Sequence, residues 1–140
     1  MKVLIAEDNP SMRRMIRRAV AGVADEISEC NDGAAACSLY GELRPDWVLM
    51  DIELGQVNGI TATRRIKAEY PEARVVIVTS YDDEQLREAA KAAGACAYVL
   101  KEDVFALLRI LTESGPQRLR FSGLHVLQAT CLNRSGHIEL

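Results

Sequence analysis

The sequence lacks several features that would place it in a particular class of protein. No apolar run approaches the roughly 20 residues that cross a membrane, and no charged amino-terminal segment leads into an apolar one as in a signal peptide. The cysteines are too far apart for the paired spacing of a zinc or redox site, and we interpret them as small apolar residues in a reducing compartment: Cys30, Cys37, Cys96 and Cys131. We therefore expect a cytoplasmic protein with no membrane partner.

A dense run of basic residues is also absent. The formal net charge is -3, and it divides into -5 over residues 1–113 and +2 over residues 114–140. Arginines cluster at positions 13, 14, 17 and 18, but their spacing fits the solvated face of a helix better than a nucleic-acid footprint. We expect no nucleic-acid contact by this chain itself.

Four apolar runs, by contrast, each end at polar side chains. Continuous apolar runs of this length are typical of strands buried on both faces of a parallel sheet. The runs are Val3-Leu4-Ile5-Ala6 before Glu7-Asp8, Trp47-Val48-Leu49-Met50 before Asp51, Val75-Val76-Ile77-Val78 before Thr79-Ser80, and Cys96-Ala97-Tyr98-Val99-Leu100 before Lys101. Ligands of open parallel sheets bind beyond the carboxyl ends of the strands. The sequence thus predicts three acids, a hydroxyl pair and an ammonium at one rim.

Helical segments separate the strands. Residues 26–30 form a weaker, edge-like strand, and helices are predicted over about 10–19, 34–43, 60–70, 81–93 and 102–111. Met12, Met15, Ile16 and Ala19 are expected to form the buried face of the first helix. Five alternations of strand and helix predict an α/β domain over residues 1–113, a five-stranded parallel doubly wound sheet with helices on both faces.

The character of the chain changes from residue 114. Gly115-Pro116 breaks the last helix, and the remainder has no sustained apolar period. Residues 114–140 are therefore a tail of unassigned structure: packed on the domain, disordered, or foreign to the natural protein.

The polar groups of the rim resemble those of the receiver domain of response regulators in two-component signalling. Glu7, Asp8, Asp51, Thr79 and Lys101 follow successive strands in that family's order, and the resemblance covers residues 1 to about 113. It implies the flavodoxin-like fold of chemotaxis regulators, with five helices and the strand order 2-1-3-4-5.

The resemblance also implies a chemistry. Asp51 would accept a phosphoryl group from a histidine kinase or a phosphotransfer protein. Glu7, Asp8, Asp51 and the backbone carbonyl of Glu53 would bind Mg²⁺, since carboxylates about 4 Å apart repel by about 4 kcal/mol per pair at an effective dielectric near 20. Lys101 and Thr79 would contact phosphoryl oxygens. The chain would catalyse only its own phosphorylation and dephosphorylation and would not otherwise be an enzyme.

Further residues are implied to control the switch. The ring of Tyr98 would turn inward as the Thr79 hydroxyl moves toward the phosphoryl group, remodelling the last two helices for contact with an output protein or a second copy. Glu53 and Tyr81 occupy positions that tune phosphoryl lifetime. The chain departs from the family pattern at Gly55, where Pro is usual, and at Glu102, where Pro often follows the lysine.

Alternatives remain open at this level. The acids of Asp51-Ile52-Glu53 suit a Mg²⁺-dependent phosphohydrolase, although no segment resembles a substrate-binding cap. A degenerate receiver that only scaffolds partners is a second alternative. A receiver itself could stand alone or belong to a truncated DNA-binding transcriptional regulator.

Overall fold

A computed structural model describes residues 1–113, together with the short strands at 131–132 and 138–139. Five strands form one parallel sheet: β1 (Lys2–Ala6), β2 (Glu26–Cys30), β3 (Trp47–Met50), β4 (Val75–Thr79) and β5 (Ala97–Leu100). Their order is β2-β1-β3-β4-β5, so the predicted fold class and strand order are confirmed. The chain order reverses between β1 and β3, where parallel sheets open a crevice for ligands.

Five helices connect the strands, and all begin in the same way. They are α1 (Pro10–Val20), α2 (Gly33–Leu43), α3 (Gly59–Glu69), α4 (Glu84–Ala92) and α5 (Val104–Thr112). Before each helix, an Asn or Asp side chain accepts a hydrogen bond from a backbone N–H of the first turn: Asn9, Asp32, Asn58, Asp83 and Asp103. This capping satisfies donors that the helix leaves unpaired. The capping residues all lie in the loops that follow the strands, and they fix where each helix begins.

The core has two layers, one on each face of the sheet. On one face, side chains such as Leu4, Val48 and Ile77 pack against α2, α3 and α4. On the other face, neighbouring strand positions such as Ile5 and Leu49 pack against α1 and α5. Because successive strand residues point to opposite faces, strands buried on both sides must be apolar throughout, and β3 and β4 are fully buried along their length.

The structure corrects two details of the sequence interpretation. Met15, predicted on the buried face of α1, is 38% exposed, while Ile16 and Val20 carry the buried face. The fourth helix, predicted from Tyr81, begins only at Glu84, because the side chain of Asp83 caps it.

The described part of the tail consists of one strand pair. Two short strands, β6 (Cys131–Leu132) and β7 (Ile138–Glu139), pair antiparallel. The prediction for the rest of 114–140 lies outside the described residues. Within the described part of the chain, no helix is both long and apolar enough to cross a membrane.

Candidate functional site

Backbone hydrogen bonds between neighbouring strands bring the rim residues together. The N–H of Asp51 donates to the carbonyl of Ala6 at 3.0 Å, so the acid after β3 lies beside the acids after β1. The N–H of Lys101 donates to the carbonyl of Thr79 at 2.8 Å, which joins the ends of β4 and β5 in the same way. The sheet itself therefore positions the side chains that the sequence predicts at this edge.

Three carboxylates meet at this rim. Glu7 is 1% exposed and Asp51 is 5% exposed, whereas Asp8 is open to solvent. One carboxylate oxygen from each of the three lies within 4.8 Å of the others. Such a grouping of oxygen ligands suits a hard divalent cation.

Lys101 supplies positive charge between the two buried acids. Its Nζ lies 2.8 Å from Oε1 of Glu7 and donates a hydrogen bond of 3.2 Å to Oδ2 of Asp51. Burial on its own lowers the pKa of Lys101, but the neighbouring carboxylates outweigh burial and raise that pKa above its ordinary value. Lys101 therefore stays charged in the rim.

The Glu7 carboxylate is held on one side and open on the other. Its Oε2 accepts a hydrogen bond of 3.2 Å from the N–H of Asn9, and its backbone carbonyl accepts one of 2.8 Å from Arg13. Oε1, although close to Lys101, receives no hydrogen bond of acceptable geometry and is fully buried. The 2.8 Å contact is thus an ion pair that leaves coordinating capacity on Oε1, and a magnesium ion fits these donors.

Asp51 has the most perturbed acidity of the site. Burial, followed by the negative charge of Glu7, raises its pKa to about 7, and the contact with Lys101 offsets only part of this. Ionised Asp51 is therefore costly without a further cation. A divalent ion beside it would favour the carboxylate form that a nucleophile needs.

Thr79 and Tyr98 are linked through the backbone of Tyr81. The hydroxyl oxygen of Thr79, which is fully buried, accepts a hydrogen bond of 3.3 Å from the N–H of Tyr81. The hydroxyl of Tyr98 donates to the carbonyl of Tyr81 at 2.6 Å, and its ring is 0% exposed. The two residues predicted to form the switch therefore share one peptide segment, and the ring that was expected to turn inward on phosphorylation is already buried in this structure.

The other predicted site residues lie further out. Glu53 is exposed in the loop after β3, and the side chain of Tyr81 is 46% exposed. Both side chains are therefore accessible to solvent, and neither contacts the rim acids in any described hydrogen bond or ion pair.

Sequence reasoning missed two residues that shape the rim. Arg13, interpreted as part of a solvated face, donates to the carbonyl of Glu7 and forms an ion pair with Glu29 at 3.0 Å. Gly59 packs so closely that a Cβ there would meet the carbonyl oxygen of Asp51 at 1.9 Å. The Asn58-Gly59 pair, a common turn signal, was the available hint for the glycine.

Comparison with known proteins settles the family. The family model described as "Response regulator receiver domain" matches residues 3–112. The chain belongs to this family. Receiver domains of this kind serve two-component signalling and typically bind Mg²⁺ at an acidic pocket such as the one formed here.

Individual relatives show the range of proteins that carry such a domain. The chain is 38% identical over 104 residues to protein-glutamate methylesterase/protein-glutamine glutaminase 4 of Myxococcus xanthus, covering 72% of this chain and 30% of that protein. It is 34% identical over 104 residues to the uncharacterized transcriptional regulatory protein YhcZ of Bacillus subtilis, covering 73% and 49%. The chain thus spans about half or less of these curated relatives.

A solved structure gives a closer match in length. The crystal structure of a two-component response regulator of the LuxR family from Aurantimonas sp. SI85-9A1 is 33% identical with a TM-score of 0.73. The alignment covers 80% of this chain and 85% of that one. The similarity therefore extends over the whole receiver.

Proposed function

We propose that this receiver accepts a phosphoryl group on Asp51 from the phosphohistidine of a histidine kinase or a phosphotransfer protein. The observation that supports this most is the contact of a buried Asp51 carboxylate with Lys101, with oxygens of Glu7 and Asp8 within 4.8 Å. A carboxylate oxygen attacks phosphorus, the bond from phosphorus to the donor nitrogen breaks, and an aspartyl phosphate results.

Lys101 and Thr79 are proposed to receive the phosphoryl oxygens. Phosphoryl transfer depends mainly on positioning and charge neutralisation. Thr79 ends β4, which neighbours β3, and Lys101 follows β5, the next strand of the sheet. Lys101 already points at Asp51, so its ammonium needs little movement to pair with an oxygen of the transferred group. Charge-assisted contacts of this kind are roughly twice as strong as neutral hydrogen bonds.

Mg²⁺ is proposed as the cofactor, held by Glu7, Asp8, Asp51 and the backbone carbonyl of Glu53. When bound, the ion supplies positive charge that offsets the clustered carboxylates and the incoming phosphoryl oxygens. The chain contributes the orientation: the N–H of Asn9 donates to the side-chain carboxylate of Glu7, and Arg13 donates to its backbone carbonyl. Glu53 and Tyr81, which are exposed and follow Asp51 and Thr79 by two residues each, are proposed to control access of the water that hydrolyses the aspartyl phosphate.

The signal is proposed to leave the rim through Thr79. Its hydroxyl oxygen is bound to the Tyr81 amide, and movement of that hydroxyl toward a phosphoryl group would disturb the Tyr81 segment and the Tyr98 hydroxyl bound to it. These residues adjoin α4 and α5, which would present a changed surface to an output protein or to a second copy of the chain. Transcriptional regulators among the relatives favour a DNA-binding output.

Intact-mass measurement tests the proposal directly. The protein is incubated with acetyl phosphate and Mg²⁺, and we expect one phosphoryl adduct in the wild type and in Asp25→Asn. Asp25 is an exposed acid that pairs with the N-terminal amine, far from the rim in sequence and in contacts. Asp51→Asn should remove the adduct.

Three outcomes would contradict the proposal. An adduct that persists in Asp51→Asn moves the site elsewhere, and an adduct absent from the wild type removes the phosphoacceptor role. Repeated release of phosphate from a small ester would favour the phosphohydrolase instead.

A further inference from the structure

Arg87 of α4 lies over the ring of Tyr98. Its guanidinium carbon is 4.9 Å from the ring centroid, within the range of a cation–π contact. The same guanidinium forms an ion pair of 2.5 Å with Asp82, and the Arg87 side chain is only 15% exposed. The group is therefore ordered from two directions, by the ring below it and by the carboxylate beside it.

Tyr98 is in turn fastened at its other end. The hydroxyl donates to the carbonyl of Tyr81, and the amide of Tyr81 donates to the hydroxyl oxygen of Thr79. A chain of contacts thus runs from Arg87 through the ring and the Tyr81 peptide to Thr79. A change at any link alters the freedom of the next.

We propose that Arg87 is a positioning residue for Tyr98: with Asp82, it clamps the ring in its buried position and so holds the Tyr81 segment that orients Thr79. The kinetic consequence of the clamp rests on the proposed phosphorylation of Asp51, whereas the position of the ring does not. Neither Arg87 nor Asp82 touches the acids of the rim in any described contact.

Arginine suits this task for physical reasons. Its planar guanidinium can stack on an aromatic face while its edge pairs with a carboxylate, which the point charge of a lysine cannot reproduce. Asp82 precedes the cap residue of α4, and Arg87 belongs to the second turn of that helix. Arg87 and Asp82 therefore connect the start of α4 to the ring of Tyr98 in β5. Loss of this contact should make both the helix start and the ring more mobile.

The chain contains a matched control for this contact. Arg74 stacks on Trp47 at 4.3 Å, but Trp47 begins β3 and so lies at the end of the sheet opposite the rim. Arg74→Ala removes an arginine–aromatic contact of the same kind without touching Tyr98. Effects that are specific to the clamp should be absent from this variant.

Chemical nitration of tyrosine measures the position of the ring. The full chain is treated with tetranitromethane, and peptide mapping separates Tyr98 from Tyr81. We expect nitration of Tyr98 to be about two- to fivefold faster in Arg87→Ala than in the wild type, because a factor of this size corresponds to the loss of one cation–π contact. Arg87→Lys should lie between the two, and Arg74→Ala should match the wild type.

A kinetic cycle tests whether Arg87 acts through Tyr98. We expect Arg87→Ala to slow adduct formation on Asp51 by about two- to fivefold with acetyl phosphate, because Thr79 is less well oriented. Tyr98→Phe cuts the hydrogen bond to Tyr81, so adding Arg87→Ala in that background should have no further effect. A purely structural role for Arg87 would slow both backgrounds alike.

Two results would contradict the proposed role of Arg87. Unchanged nitration of Tyr98 in folded Arg87→Ala rejects it, and so does an equal kinetic effect with and without the Tyr98 hydroxyl. If Arg87→Ala fails to fold, Arg87→Lys and Asp82→Asn replace it. In both variants we expect faster nitration of Tyr98 and slower adduct formation on Asp51 than in the wild type. If no adduct forms on Asp51 in any variant, the proposed function fails, while nitration still decides the clamp.

Discussion

Lys101 lies closer to Glu7 than to Asp51, with 2.8 Å from Nζ to Oε1 of Glu7 and 3.2 Å to Oδ2 of Asp51. Glu7 is almost completely buried, so Lys101 neutralises an acid that would otherwise be costly to bury. A divalent ion bound by Glu7 would take over that neutralisation. Lys101 would then be free to pair with an oxygen of the phosphoryl group on Asp51.

Lys101→Ala should therefore destabilise the protein most when divalent ions are absent. Removing one partner of a buried ion pair costs about 3 kcal/mol or somewhat more, and we expect a loss of that order in the free energy of unfolding in EDTA. With saturating Mg²⁺ the loss should be markedly smaller, while Mg²⁺ binding itself is retained. Urea denaturation with and without Mg²⁺ measures both.

An exposed lysine on α4, Lys91, provides the control. Lys91→Ala should change the free energy of unfolding by no more than about 0.5 kcal/mol in either condition, as usual for surface substitutions. Equal losses for the two variants, or a Lys101→Ala loss that Mg²⁺ leaves unchanged, would contradict the shared role of Lys101.

The raised pKa of Asp51 predicts a pH dependence of stability. Its pKa is about 7 in the fold, against about 3.9 when unfolded, so the fold favours protonated Asp51. The corresponding stability is complete below about pH 4 and is lost as the pH rises through about 7. In EDTA, the free energy of unfolding of the wild type should fall by roughly 1 to 3 kcal/mol between about pH 5 and about pH 8.

Asp51→Asn removes this titration and should flatten the profile. We expect the variant to be more stable than the wild type near pH 8 in EDTA, since a neutral amide replaces a poorly solvated charge. Mg²⁺ should reduce or reverse the difference, because the ion stabilises ionised Asp51 only in the wild type. Parallel profiles for the two proteins in EDTA would show that Asp51 is not the titrating group.

Cys30 should be a slow nucleophile in the folded protein. Burial raises the pKa of its thiol to about 11, and a backbone hydrogen bond at Asp32 offsets only part of that rise. At about pH 8 only about one thiol in a thousand is then the reactive thiolate. Alkylation with iodoacetamide, followed by peptide mapping, should be far slower at Cys30 in the fold than in urea, and equal rates would contradict the burial of this thiol.

Much of the fold could be predicted from the sequence because its signals are local. Strands buried on both faces appear as unbroken apolar runs, and the polar residue after each run must lie at the same edge of a parallel sheet. The placement of Asp51 and Lys101 followed from this rule alone. The family resemblance added the strand order and the roles proposed for these residues.

Contacts between distant parts of the chain could not be predicted in this way. Nothing around Arg87 distinguishes it from other charged residues of a solvated helix, since its partner Tyr98 comes from β5. Met15 has the spacing of a core residue, but α1 meets the sheet through Ile16 and Val20 instead. The raised pKa of Asp51 likewise depends on burial and on Glu7, which only the folded arrangement supplies.

Gly59 should be intolerant of even the smallest side chain. A Cβ at this position would lie 1.9 Å from the carbonyl oxygen of Asp51 and 2.9 Å from the side chain of Met50, and the obstructing carbonyl belongs to the backbone. Gly59→Ala must therefore displace either the start of α3 or the backbone of Asp51. We expect a loss of about 1 to 3 kcal/mol in the free energy of unfolding, as for other overpacked sites, together with slower adduct formation on Asp51.

Gly22→Ala is the matched control, because a Cβ there meets nothing within 4 Å. Urea denaturation and intact-mass kinetics on both variants check the prediction, and a Gly59→Ala protein that matches Gly22→Ala in both would show that the loop after Asp51 yields without cost.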